Sequence, residues 1–428
     1  MVVIALLARI ALAVAAVLVT DRYTIPDETL YLELARNIVH GISPNEWYPG
    51  YGQSLYDSIE TYSAPLVLIF RVFGSTRLVG ALFAAAVGAA AAGLTVAIAL
   101  RFLRPAFALI GGLVVALVPS QVLFSAVVLR EGHIWLMLTL VGLGAVILLT
   151  GTDWQRLALG ALLAAAGLLG LAYLRDQTML AAAWALALAV VLSVRQMWPA
   201  RVAVGLVVAL AIPWLAGSGP GGWNLVRSNA DRLAQTRATL AVDANSAFGG
   251  ATPPPASGSG VGPNGTVSST ARDAANRDDS VRSSIRHLPA GLVDVTLRPF
   301  PWSSTAGLSL LLARVETIGW YLLYALTIIG IVVSIRRRES RLALEFPVFL
   351  MGMLLGIAAL TQGNLGTAFR HREQILWILA LCAAAGLQWL LMESRWGSRG
   401  RRSQVDRVGL GRADAEASSA PAESVLTR

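Results

Sequence analysis

Ten apolar runs, each at or near membrane-crossing length, constrain this chain more than any other feature. They occupy residues 2–20, 78–100, 105–124, 133–150, 157–174, 178–194, 202–216, 311–335, 342–361 and 374–393. A helix needs about 20 apolar residues to cross the hydrocarbon core. In lipid, every backbone N–H and C=O of a crossing segment must find its partner inside the protein, which a helix achieves by itself. The expected fold class is therefore all-α: a polytopic membrane helical bundle of about ten spans. Composition agrees, with 56% hydrophobic and only 14% charged residues, where soluble domains carry about a quarter charged. The run 202–216 is short and contains Pro213. Ser63–Phe73 is too short to span and reads as an interfacial or re-entrant helix.

Charge orients the set. The net charge is +9, and every basic residue is Arg. Arg101 and Arg104, Arg156, Arg195 and Arg201, Arg336–Arg338 with Arg341, and the tail from Arg395 to Arg402 all fall in alternate inter-span segments. Positive loops stay cytoplasmic, so this side is read as inside, with both termini. That distribution speaks against nucleic acid as the reason for the charge. Residues 21–62 and 217–305 then form two large outer loops, the first amphipathic, the second partly disordered. The chain divides into an N-terminal membrane module (1–216), that second loop (217–305), C-terminal membrane helices (306–394) and a polar, Ala/Ser-rich, disordered cytoplasmic tail (395–428). Asn264-Gly265-Thr266 matches a glycosylation sequon by chance. The single cysteine, Cys382, excludes an intrachain disulfide and a Cys-rich metal site. Met1–Thr20 lacks a basic leading region and is interrupted by Arg9, so it is read as a retained first span rather than a signal peptide.

Three groups of polar residues stand at the outer span ends. The first is Asp21-Arg22-Tyr23-Thr24-Ile25-Pro26-Asp27-Glu28-Thr29-Leu30-Tyr31. Pro26 suits a first helical turn, and Asp27 and Glu28 suit its positive end. Leu30, Leu34 and Ile38 make one apolar stripe, to lie in lipid or against the bundle. The two carboxylates either complement the helix dipole or do chemistry at the membrane surface. The second group is Arg130-Glu131-Gly132-His133, read equally as a solvated pair or as a second acidic site or metal ligand at Glu131. The third is Arg370-His371-Arg372-Glu373, two arginines on the side where positive charge is disfavoured. With Arg175, Arg298 and Arg314 they could grip the oxygens of a phosphate or pyrophosphate. The alternative is internal pairing: Arg175 with Asp176, Arg314 with Glu316, Arg372 with Glu373.

Pro26-Asp27-Glu28-x-x-Tyr31, then Tyr62-Ser63-Ala64-Pro65-Leu66, then the small-residue span after Arg77-Leu78-Val79-Gly80, then Pro119 followed by Arg130-Glu131, resemble the GT-C superfamily of membrane glycosyltransferases. The similar branch is the protein mannosyltransferase and aminoarabinose-transferase group. The resemblance covers roughly residues 1–150, and Arg370-His371-Arg372 before a last apolar span is similar to the end of such enzymes or of polysaccharide polymerases. It implies transfer of a sugar from a polyprenyl-phosphate donor to a lipid, glycan or protein acceptor on the extracytoplasmic side. It also implies a catalytic carboxylate at Asp27 or Glu28, with Glu131 preceded by Arg130 where many relatives have an Asp. A hydroxyl acceptor must lose a proton as it attacks, which a positioned carboxylate can take. Arg370, His371, Arg372 and Arg298 are then the expected contacts of the donor phosphate, stabilising the leaving charge. The spacing of His, Asp and Glu designates no metal site, and a requirement for a divalent metal is left open. Two other readings are a polymerase or ligase of an exported polysaccharide using a polyprenyl-pyrophosphate-linked oligosaccharide, and a lipid or solute transporter. A transporter should carry mid-membrane charge and repeated, broken halves; here ionisable residues gather at span ends.

Overall fold

The computed structural model describes residues 1–19, 26–42, 46, 53–193, 199–219, 222, 224, 281–302, 308–361 and 370–393, with backbone only at several element ends, notably 53–61 and 281–287. Asp21–Ile25, Arg195, the sequon at Asn264, the loop 362–369 and the tail 395–428 lie outside the described residues. Among those described, every regular element is a helix. In chain order these are α1 (Val2–Val19), α2 (Pro26–Val39), α3 (Gln53–Phe73), α4 (Arg77–Ala99), α5 (Pro105–Leu117), α6 (Pro119–Ser125), α7 (Glu131–Thr150) and α8 (Trp154–Leu174). There follow α9 (Asp176–Leu192), α10 (Pro199–Pro213, prolonged by a wider turn to Ser218), α11 (Val281–Leu297), α12 (Leu308–Ile335), α13 (Arg338–Thr361) and α14 (Leu376–Gln388, prolonged to Glu393).

Six of these pieces are long and apolar enough to cross a membrane: Arg77–Ala99, Glu131–Thr150, Trp154–Leu174, Pro199–Ser218, Ala313–Ile335 and Ser340–Leu360. The apolar stretches Val2–Leu18, Asp176–Leu192 and Leu376–Met392 are shorter. The run 105–124 reads as one span, but the chain divides it into α5 and α6, bent by 57°. Val118 stands at φ −57°, ψ 125°, extended rather than helical, because the ring of Pro119 disfavours helical ψ in the residue before it.

The bend exposes carbonyls at the end of α5, and Arg9 answers them. Its guanidinium, fully buried, donates to the carbonyls of Ala116 (2.9 Å) and Val115 (3.2 Å) and to Ser125 Oγ (2.7 Å). The residue that interrupts the first apolar run is thus the cap of a broken helix, a job that backbone geometry leaves to a side chain. Two helices form the buried centre. In α14, Leu376 to Gly386 are all buried, and α7 is buried along nearly its whole length. Helices that must touch in lipid do so through small residues. A Cβ on Gly330 of α12 would stand 1.8 Å from the Cys382 carbonyl of α14, and one on Gly144 of α7 2.4 Å from the Ala164 nitrogen of α8.

Candidate functional site

One end of the bundle collects the polar span ends. There Arg370 meets Asp27, Glu28 meets Arg77, Ser120 meets Glu316 and Glu373, and Arg314 meets the Pro301 carbonyl. The opposite end carries Arg104 on Gln388, Arg156 on Asp153, and Arg341 with Ser193 on Glu345.

Asp27 and Glu28 begin α2 but have opposite surroundings. Glu28 is fully buried, and both its oxygens are held by Arg77, at 3.0 and 2.9 Å. The Val128 amide adds a longer bond of 3.4 Å, and Arg77 also donates to the Ala16 carbonyl. Glu28 thereby ties α2 to α4, to the end of α1 and to the turn before α7. It does not sit as a solvated acid at a helix start. The stripe of α2 faces the bundle: Leu32 and Leu34 are buried with Tyr62, Leu66 and Phe70 of α3 and with Val127–Leu129.

Asp27 is different. Its side chain is 46% exposed and takes Nη1 of Arg370 at 2.5 Å. The same Nη1 lies 3.8 Å from Glu131, which is only 5% exposed. The Arg370 guanidinium thus stands between two carboxylates from different helices. Burial acts to lower its pKa, but the charges of Glu131 and Asp27 outweigh this and raise it. The Arg370 guanidinium also lies over the Phe124 ring, 6.0 Å from the ring centre. Arg130 and Arg175 lie within electrostatic reach of Glu131 and Arg370, and burial pulls the Arg175 pKa down to about 10. His371 is pushed down to about 3, by burial first and then by Arg175, Arg130 and Arg370. A neutral imidazole there can donate or accept one hydrogen bond but brings no charge.

Several polar atoms around this group are buried without a hydrogen-bond partner: Glu131 Oε2, Arg175 Nη1, both nitrogens of His133 and the Tyr62 hydroxyl. Such atoms are rare in native proteins and mark where water or a ligand belongs. Tyr62 sits edge-on between Tyr31 (4.8 Å between ring centres) and His133 (5.0 Å), forming an aromatic wall below the carboxylates. Burial raises the Tyr31 hydroxyl to about 12, so it stays a hydroxyl donor. Arg175 stands among the outer arginines of the sequence, and Tyr62 and Arg77 within its motifs, but nothing local names their partners, which lie tens of residues away.

The internal pairs considered for the arginines resolve differently. Arg314 donates to the Pro301 carbonyl instead of pairing with Glu316, because Glu316 is taken by Ser120 and Trp320. Arg175 lies within electrostatic reach of Arg130 and Glu131, while Asp176 is exposed. Arg130 forms no ion pair with Glu131 among the described residues. Arg372 is fully buried, stacked 4.3 Å over the Trp320 ring and donating to the Arg298 carbonyl. Arg298 pairs with Asp294 one helical turn back. The structure therefore gathers Asp27, Glu131, Arg130, Arg175, Arg370 and His371, and sets Arg372 and Arg298 in a neighbouring cluster. No group of three His, Cys, Asp or Glu among the described residues could hold a metal ion.

Beside the second cluster, a cleft of about 420 Å³ opens between α5 and α12. Its walls include Leu113, Leu117, Val315, Gly319 and Leu323, with Trp320 and Glu316 at its polar end. Compared with protein-family models, curated proteins and solved structures, the chain matches none.

Proposed function

We propose that this protein is a membrane glycosyltransferase that moves a sugar from a polyprenyl-phosphate-linked donor to a hydroxyl acceptor on the extracytoplasmic face. The observation that carries the reading is the placement of Arg370 between Asp27 and Glu131 at a half-open polar end of the bundle. In this reading Asp27, the exposed carboxylate, is the base: it takes the acceptor proton as the hydroxyl oxygen bonds to the anomeric carbon. The bond from that carbon to the donor phosphate oxygen breaks, and the phosphate leaves with its electron pair. Arg370 stabilises that charge through its guanidinium, with Arg175 and Arg130 nearby. Glu131 holds Arg370 from the buried side, and Glu28 positions α2 through Arg77. The apolar cleft by Trp320 suits an isoprenoid chain.

The membrane arrangement proposed with it has about ten spans. Six full-length helices, the bent α5–α6 pair, and the shorter α1, α9 and α14 supply them. The arginine-rich end that holds Arg104, Arg156 and Arg341 is cytoplasmic, with both termini.

A polymerase or ligase using a pyrophosphate-linked oligosaccharide is the second reading. Three arginines around one site favour it, since a pyrophosphate offers more anionic oxygens than a monophosphate. The test uses purified protein in liposomes with labelled polyprenyl-monophosphate hexose or pentose, and in parallel a polyprenyl-pyrophosphate oligosaccharide. Product from the first donor, lost in Asp27→Asn, supports the transferase. Product only from the second supports the polymerase. Binding of neither donor overturns both.

A further inference from the structure

A second carboxyl pair lies outside the group around Arg370. Ser120 Oγ stands 2.5 Å from Glu316 Oε1 and 2.5 Å from Glu373 Oε1. A hydroxyl has one proton and can donate to only one of these oxygens. The other contact needs a proton from the carboxyl itself. Glu316 has the surroundings of an anion: the Ser120 amide (3.0 Å) and the Trp320 indole N–H (2.9 Å) both donate to it. Glu373 receives less: Ser120, Gln121 and the charge of Arg372 favour its anion, but burial and Glu316 outweigh them. It is fully buried, and its Oε2 has no hydrogen-bond partner.

We infer that Glu373 and Glu316 form a buried proton-binding site that holds one proton on Glu373 Oε1, relayed through Ser120 to Glu316. The chain of bonds runs from the Glu373 O–H to Ser120 Oγ, and from the Ser120 O–H to the Glu316 carboxylate. No other species is consumed or formed: the site takes a proton from water and returns it. Burial first, and then the charge of Glu316, push the Glu373 carboxyl up to about 8. The groups that face it are Glu316 and Tyr324 from α12 and Arg372 on its own turn. From α6 come Ser120 and Gln121, whose side-chain amide donates to the Glu373 carbonyl at 2.9 Å. The Arg372 charge, held against the Trp320 face, acts in the opposite sense and is outweighed.

The site has a consequence for the neighbouring cluster. Glu373 lies one helical turn after Arg370, so the proton pins the turn 370–373 to α6 and α12. Loss of the proton sets two carboxylates on one hydroxyl, and like charges so placed repel. The turn that carries Arg370 is then held less firmly against Asp27.

Infrared difference spectroscopy of the full chain in liposomes tests this, titrated from pH 5 to pH 10. A protonated-carboxyl C=O band that disappears near pH 8 is expected, and Glu373→Gln should remove it. Glu316→Gln should shift its loss to lower pH, because the like charge is gone. Hydrogen–deuterium exchange of residues 370–375, corrected for intrinsic pH dependence, should rise above pH 8 in the parent and stay flat in Glu373→Gln. Absence of a titrating band in the parent overturns the proposal, as does a band that survives in Glu373→Gln. These readouts use no sugar donor, so their outcome is independent of the transferase reading.

Discussion

Asp27 and Glu28 are adjacent in the chain, yet only Asp27 reaches solvent. Glu28 is fully buried in a two-pronged pair with Arg77. Removing one partner of a buried ion pair leaves the other charge stranded and costs about 3–5 kcal/mol. Glu28→Gln is therefore expected to lower the melting temperature in detergent. Asp27→Asn should lower melting much less, since its part-exposed pair with Arg370 contributes about 0.2–1 kcal/mol, while abolishing the proposed transfer. Equal stability of the two variants would break this division. Arg370→Lys keeps the charge but loses the planar fork. Donor binding should fall markedly in Arg370→Lys and further in Arg370→Ala; donor titration by fluorescence checks the order. His371 brings a pH effect of known sign. Its pKa is depressed from 6.5 to about 3, so its stability contribution is present above pH 6.5 and is lost as pH falls toward 3. His371→Asn should flatten the acid limb of a melting-temperature profile over that interval.

At the scale of elements, the break at Pro119 and its cap by Arg9 form one unit. Arg9→Leu strips partners from the carbonyls of Ala116 and Val115 and from Ser125. Each buried group left unsatisfied costs about 1–3 kcal/mol, so Arg9→Leu should unfold at markedly lower temperature, with partial recovery in Arg9→Lys. The reach of Arg9 also requires a small neighbour, because a Cβ on Gly88 would stand 2.9 Å from its Nε. Where α12 crosses α14, the backbones meet at Gly330 and Gly386. Gly330→Leu has no room there, and overpacking of about 1–3 kcal/mol or more should appear as loss of folded protein in detergent.

At the scale of the molecule, single-cysteine labelling in a Cys382→Ala background decides which end faces out. Arg337→Cys should be labelled only after the membrane is opened, and Asp27→Cys in intact cells; the reverse pattern would invert the bundle. Much of the architecture was legible in the chain. Apolar runs of fixed length dictate helices because lipid offers the backbone no partner, and the ten runs locate eleven of the fourteen helices named above, the third dividing into α5 and α6. The Arg pattern separates the two ends because loop charge is a local property of sequence. Asp27, Glu131 and Arg370 could be proposed as site residues from their positions at span ends. What the chain could not express is partnership. That Glu28 belongs to Arg77, that Arg9 serves α5, that Arg372 turns to Trp320 while Arg370 turns to Asp27, and that Ser120 joins Glu316 to Glu373, all depend on which helices are neighbours. Hydropathy specifies that a helix crosses, whereas close contact of small residues and the pairing of buried polar groups select its neighbours. Those choices exist only in the packed bundle.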